Sequence, residues 1–241
     1  MKLGLQQALS VIYPDQCRLC ETLVARNGGL CGSCWAETPF IRGLVCDACG
    51  VSLTGSSDDS ALCDDCLLAP RPWEAGRAAL SYRDQGRRIV LSLKHGDRLD
   101  LAAPAATWML NAGRAFLTED VLLVPIPVHW TRLLTRRYNQ AVELARAMSK
   151  QSAMRHCPDA LMRNRRTLVQ DGMTVSDRAA NMKGALSVNP KREDLLKGAR
   201  VCLVDDVMTS GATMTEATQV LWNAGVDHVF VLLLARVEKR P

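Results

Sequence analysis

The sequence predicts an α/β protein, a parallel sheet flanked by helices and preceded by a small cysteine-rich module. Three observations predict it. Eight of the ten cysteines form four Cys-x-x-Cys pairs before residue 70, and only two cysteines follow. Beyond that point apolar runs alternate with segments of helical period, the pattern of a sheet covered on both faces. Between the two parts, Ala69-Pro70-Arg71-Pro72-Trp73 carries two prolines. We place the division there, with the module over 1–70 and the α/β domain over 73–241. A chain of 241 residues has room for about two domains, one of them large enough to bury a core.

The module opens with a short amphipathic helix expected over residues 3–12, on Leu3, Leu5, Leu9, Val11 and Ile12. The pairs that follow are Cys17/Cys20, Cys31/Cys34, Cys46/Cys49 and Cys63/Cys66. A Cys-x-x-Cys turn aims two thiolates at one point, and two such turns complete a tetrahedral shell around Zn²⁺. Four turns therefore imply two structural zinc sites. The linkers of ten, eleven and thirteen residues allow either consecutive or crossed pairing. A disulfide framework is the competing reading, and it needs an oxidising compartment. Gln6 and Gln7 interrupt any apolar leader and no small-residue cleavage site follows, so the expected location is cytoplasmic. Residues 52–60 read as a loop between the third and fourth pairs.

In the second part, Ala78–Tyr82 reads as a strand, and Gly86–Lys94 as a helix with Ile89, Val90 and Leu93 on one side. Alanine-rich 101–117 reads as a helix. Val121–Pro127 is a buried strand stopped by proline, and Ala141–Met148 a helix. Val201–Asp206 is an apolar strand ending in acids, Ala212–Asn223 a helix with Gly225 as its C-terminal stop, and Val229–Leu234 a last strand. No run of eighteen apolar residues occurs, so no membrane span is expected. The formal charge of +5 counts cysteine as neutral. Two four-thiolate zinc sites contribute −2 each and bring it to +1, so the total is weak evidence for nucleic acid. Arginines cluster instead, at Arg132, Arg136 and Arg137 and at Arg155, Arg163, Arg165 and Arg166.

The chemistry is expected in Val204-Asp205-Asp206-Val207-Met208-Thr209-Ser210-Gly211-Ala212-Thr213. Two carboxylates close a strand, and hydroxyl residues and a glycine lead into a helix. Backbone N–H groups at that helix start form a cradle for a phosphate, with Gly211 letting the main chain come close. The carboxylates suit a sugar's vicinal hydroxyls or a hydrated Mg²⁺. Two plainer readings compete: acids that only cap a turn, and the acid pair of a phospho-acceptor receiver domain. The receiver pair belongs to a first strand, whereas only 35 residues follow Asp206. The scattered histidines His95, His129, His156 and His228 read as surface or half-buried. Trp35 is expected to pack on the zinc module, and Trp108 and Trp222 in the core. Cys202 reads as a small core hydrophobe.

Val204–Thr213 resembles the phosphoribosyl-pyrophosphate (PRPP) signature of type I phosphoribosyltransferases. With the four cysteine pairs, Leu93-Lys94-His95-Gly96-Asp97, Val124-Pro125-Ile126-Pro127, Arg136-Arg137-Tyr138-Asn139-Gln140, Arg166-Thr167-x-x-Gln170 and Arg178-x-x-Asn181, the chain resembles the ComF family over nearly its full length. That family, named for competence and DNA uptake, joins a zinc module to a phosphoribosyltransferase-like domain. The resemblance implies that Asp205 and Asp206 hold ribose hydroxyls and Mg²⁺, and that Thr209, Ser210, Gly211, Ala212 and Thr213 hold the 5′-phosphate. It places the Val124–Pro127 turn with Arg132, Arg136, Asn139 and Gln140 near the pyrophosphate. The 163–181 segment, with Arg166, Gln170 and Arg178, becomes a mobile flap. One departure stands out: Arg137 occupies the position of a family glycine, and arginine does not readily take φ > 0.

The resemblance implies three functions. In the first, a phosphoribosyltransferase with an unidentified acceptor uses PRPP and Mg²⁺. In the second, a non-catalytic protein uses the zinc module and arginines on single-stranded DNA or a competence helicase. The third is a regulatory PRPP sensor.

Overall fold

The computed structural model describes residues 15–24, 29–56, 60–95, 98–129, 138–165 and 174–238. The helix expected over 3–12 lies outside them, as do Arg132, Arg136, Arg137, Arg166 and Gln170.

The helices are α1 (Gly32–Glu37), α2 (Asp64–Leu68), α3 (Asp84–His95), α4 (Ala102–Gly113), α5 (Gln140–Gln151), α6 (Val175–Met182), α7 (Glu193–Leu196) and α8 (Ala212–Asn223). The strands are β1 (Ala75–Ser81), β2 (Leu122–Pro125), β3 (Leu161–Arg163), β4 (Leu186–Val188), β5 (Arg200–Met208) and β6 (His228–Arg236). Four strands form one sheet in the order β1-β6-β5-β2, every pair parallel, as the continuous apolar runs require. Side chains alternate across it. Val201 and Leu203 enter the core under α8, while Cys202 and Val204 enter the core under α3, α4 and α5. The fully buried Ile89, Val90 and Leu93 anchor α3. Burial of such side chains is worth about 1.5–3 kcal/mol each. Trp108 is buried and Cys202 fully so, as expected, whereas Trp222 is half-buried and donates to the Pro72 carbonyl.

Element positions agree with the sequence reading for α8 and lie within a few residues for α3, α4, α5, β1, β2 and β6. The hairpin of β3 and β4 was not expected. Each of its strands is three residues long, too short to show a period.

The cysteine-rich part packs on this sheet through backbone contacts. Phe40 pairs antiparallel with Leu80 on the outer edge of β1, with Ile41 N–H donating to the Ala79 carbonyl and Ser81 N–H to that of Pro39. On the α8 side, Cys46, Cys49 and Cys66 are buried in the same core as Val231 and Leu233. Glycine makes that approach possible at two points. A Cβ on Gly76 would stand 2.4 Å from the Ala48 carbonyl oxygen, and one on Gly50 would stand 2.7 Å from Ala78 N. The Trp73 indole N–H donates to the Ala48 carbonyl, and Arg77 pairs with Asp47. Trp35 packs on Phe40, with ring centroids 4.4 Å apart, and Phe40 meets Trp108 of α4 edge-on.

Candidate functional site

The eight module cysteines gather into two shells by consecutive pairing: Cys17, Cys20, Cys31 and Cys34, then Cys46, Cys49, Cys63 and Cys66. In each shell the sulfurs lie within 4.8 Å of one another. Tetrahedral Zn²⁺ with bonds of about 2.3 Å needs sulfurs about 3.8 Å apart. The Cys20–Cys31 and Cys49–Cys63 separations of 3.5 and 3.7 Å fit, and every cysteine is a free thiol. Within each shell some thiols are held down while Cys34, Cys49 and Cys63 are pushed up by burial and by their neighbouring thiols. The Cys46 thiol is held down to about 4, first by the Cys49 thiol and, against burial, by backbone groups at Cys63, Cys49 and Ala48. Burial pushes Cys17 up, yet hydrogen bonds from the backbone at Cys31, Leu19 and Cys20 outweigh it and bring it down to about 6. A thiolate already stabilised by N–H donors costs less to present to a metal.

The acids do not end β5. Pairing with β6 continues through Val207–Ala235 and Met208–Arg236, so Asp205 and Asp206 are strand neighbours. Neighbours in a strand point to opposite faces. Asp206, 6% exposed, turns to α3, where Lys94 Nζ lies 3.2 Å from its Oδ1. Asp205 turns to a small cavity of about 40 Å³ at the head of α8, lined also by Val207, Met208, Thr209, Gly211, Ala212, Thr213 and Met214. Its Oδ1 accepts from the Asp206 N–H at 2.8 Å. Burial, and then the Asp206 charge, raise the Asp205 carboxyl to about 7, against the pull of Lys94 and Arg163. Lys94 thus serves a buried carboxylate. Arg163, which the sequence puts in an arginine cluster and at the start of the flap segment, ends β3 and donates to the Pro127 carbonyl at 3.3 Å.

Helix α8 starts on Gly211 at φ 88°, left-handed, a conformation glycine adopts without penalty. Glycine offers no side-chain cap, so the first amides of α8 lack the usual protein acceptor, except that Ala212 N–H reaches Ser210 Oγ at 3.5 Å. Behind the turn, the carbonyl of Ser210 accepts from Arg71 and those of Met208 and Thr209 accept from Arg236. Neither arginine was legible as part of a site, since Arg71 sits between two prolines and Arg236 simply ends an apolar strand.

The other expected residues are placed as follows. Asn139 caps α5, accepting from Ala141 N–H, and donates to the Ile126 carbonyl at 2.9 Å. Gln140 is buried and reaches the Lys94 carbonyl at 3.5 Å. Both fasten the turn after β2 and the end of α3 rather than opening on the Asp205 cavity. Arg178 is half-buried on α6, whose start is closed by a reciprocal capping box between Thr174 and Asp177. His228 pairs with Glu74 at 2.8 Å, and His129 proves buried rather than half-exposed. No helix among the described residues is long and apolar enough to cross a membrane.

Comparison with known proteins agrees with this layout. Residues 8–67 match the double zinc ribbon domain, and residues 139–240 match the phosphoribosyl transferase domain. The chain is similar to DNA utilization protein YhgH of Escherichia coli K12, 28% identical over 92% of this chain and 97% of that one. It is also similar to competence protein F of Haemophilus influenzae, 28% identical over 88% of this chain and 92% of that one. Competence protein ComFC of Bacillus subtilis is 24% identical over 81% of this chain and 79% of that one.

Proposed function

The chain belongs to the ComF family, and from that premise we propose that it binds PRPP or a related phosphosugar, with Mg²⁺, at the carboxyl end of β5. The observation that carries this reading is the shared cavity: the glycine-initiated α8 turn and the Asp205 carboxylate open on one space. Turn amides and the N-terminal end of the helix dipole suit a phosphate. The hydroxyls of Thr209, Ser210 and Thr213 add donors. Of the two acids, Asp205 would accept hydrogen bonds from ribose hydroxyls or hold the hydrated cation. Asp206 would act from behind, by fixing Lys94. Magnesium bound with the ligand would offset the charge of a leaving pyrophosphate.

Among the described residues, Asp205 is the one ionisable side chain lining the cavity, placed to bind and position a ligand's hydroxyls. By the names of its relatives we extend to the chain a part in DNA uptake or use, with single-stranded DNA or a helicase as the partner. A negative slope of log affinity against log salt with oligonucleotides is then expected, and a flat one would remove phosphate contacts.

Calorimetry with PRPP and Mg²⁺ on the native chain and on Asp205→Asn tests the site. Loss of a carboxylate that accepts from ligand hydroxyls should weaken binding tenfold or more, since a charged hydrogen bond contributes about 1.5–3 kcal/mol. Equal binding by both proteins would remove Asp205 from the site, and no binding by the native chain would remove the ligand.

A further inference from the structure

We propose that Arg71, backed by Arg236, is a positioning residue that ties the second zinc shell to the phosphate-binding turn, so that metal in that shell sets the affinity of the turn. The inference rests on the reading of Thr209–Thr213 as a phosphate cradle.

Arg71 spans the two sites with one guanidinium. Its Nε donates to Cys66 Sγ at 3.4 Å, and its Nη1 donates to the Ser210 carbonyl at 2.9 Å. It lies over the Trp73 ring, and a Cβ on Gly211 would stand 3.0 Å from its Nη1. Arg236 is 5% exposed and holds the same turn. Its Nη1 donates to the carbonyls of Met208 (3.0 Å), Thr209 (2.6 Å) and Val237 (2.6 Å). The carbonyls of three consecutive residues, Met208, Thr209 and Ser210, are therefore held by two cations.

A trans peptide sets the N–H of each next residue opposite the carbonyl before it, and the chain has no cis bond among the described residues. Holding those three carbonyls therefore turns the N–H groups of Thr209, Ser210 and Gly211 away from the arginines. That orientation is what a backbone phosphate cradle needs.

Charge explains why the zinc shell matters. Two guanidiniums close behind an anion site are costly to bury unless something answers them. Four thiolates around one Zn²⁺ carry −2 and supply that answer. Without metal the charge that answers Arg71 and the fixed placement of Cys66 Sγ are lost, and the connection slackens. The shell of Cys17, Cys20, Cys31 and Cys34 shows no such connection to the turn among the described residues.

The test uses the full-length chain and the variant Arg71→Gln, with Arg192→Gln as a control that removes an exposed, distant guanidinium. Zinc content and thermal midpoint are measured first, then PRPP·Mg²⁺ affinity by calorimetry and amide hydrogen exchange over residues 208–213. Arg71→Gln should keep two zinc ions per chain, bind PRPP about tenfold more weakly and exchange faster over 208–213; Arg192→Gln should match the native chain. Dialysis of the native chain against a chelator should reproduce the faster exchange.

Native-like affinity in Arg71→Gln, while the native chain binds, overturns the connection and leaves the phosphosugar site standing. Failure of the native chain to bind overturns the phosphosugar reading instead. The exchange data then decide on the connection alone, and unchanged exchange in Arg71→Gln overturns it too.

Discussion

Gly50→Ala tests whether the knuckle of the third cysteine pair, Cys46/Cys49, rests on the sheet. Gly50 takes φ +71°, and a Cβ there would lie 2.7 Å from Ala78 N, 2.7 Å from Arg77 C and 2.8 Å from Arg77 Cα. All three are backbone atoms of β1, which is paired to β6, so none can move aside cheaply. Two costs add. A non-glycine residue in the left-handed region costs about 1–2 kcal/mol, and forced overpacking about 1–3 kcal/mol. Gly43 separates them, because it has φ +72° with nothing within 4 Å of its Cβ position. Gly43→Ala should therefore lose only the conformational part, about 1–2 kcal/mol. Gly50→Ala should lose about 2–5 kcal/mol from both parts together. For a chain of this size each kcal/mol lowers the melting midpoint by roughly 2–4 °C. Thermal melts of the zinc-replete proteins give the comparison. If the two alanine variants melt together, the knuckle does not press on β1 and the packing described above is wrong.

Two further predictions concern the acid pair. The folded chain holds the Asp205 carboxyl at about 7, above its ordinary value of 3.8, through burial and the Asp206 charge. Between those values the folded state keeps a proton that the unfolded state has lost. Stability of the zinc-replete chain without added Mg²⁺ should therefore fall as pH rises through the window from about 4 to 7, and Asp205→Asn should flatten that slope in melts across the same range. Lys94→Met should leave Asp206, 6% exposed, without its cation. Breaking a fully buried pair costs about 3–5 kcal/mol, and the partial exposure of Lys94 reduces this to about 1–3 kcal/mol. Denaturant titration should show that loss, and adding Asp206→Asn should recover part of it.

Legibility of the fold followed length and period. The nine-residue strands β5 and β6 announce themselves by unbroken apolar runs, since both of their faces are covered. Helix α8 could be placed to the residue because Gly211 opens it and Gly225, at φ +78°, closes it. The hairpin of β3 and β4 could not be, because Leu161-Met162-Arg163 and Leu186-Ser187-Val188 are too short for any alternation to show. Zinc-shell pairing was open in the sequence for a different reason. Linkers of ten to thirteen residues can reach either neighbour, and only the packing of the chain between them decides.

At the site, residue type and order picked out the acids and the turn before α8 but not what each side chain faces. An adjacent acid pair reads as two hands on one ligand, yet β5 continues past both, and a strand sends neighbours to opposite sides. One carboxylate therefore opens on the cavity while the other is taken by Lys94. The same blindness hid Arg71 and Arg236. Their role depends on contacts across 139 residues for Arg71 with Ser210 and across 28 for Arg236 with Met208, and no local pattern encodes a partner that distant. Asn139 and Gln140 show the converse, being polar residues in a family motif whose hydrogen bonds are spent on backbone. A motif residue can thus shape a ligand site by fixing the turn that meets the ligand, without touching the ligand itself. For this chain the side chains that hold the carbonyls of the turn before α8, Arg71 and Arg236, lie behind it, and Arg71 also reaches Cys66.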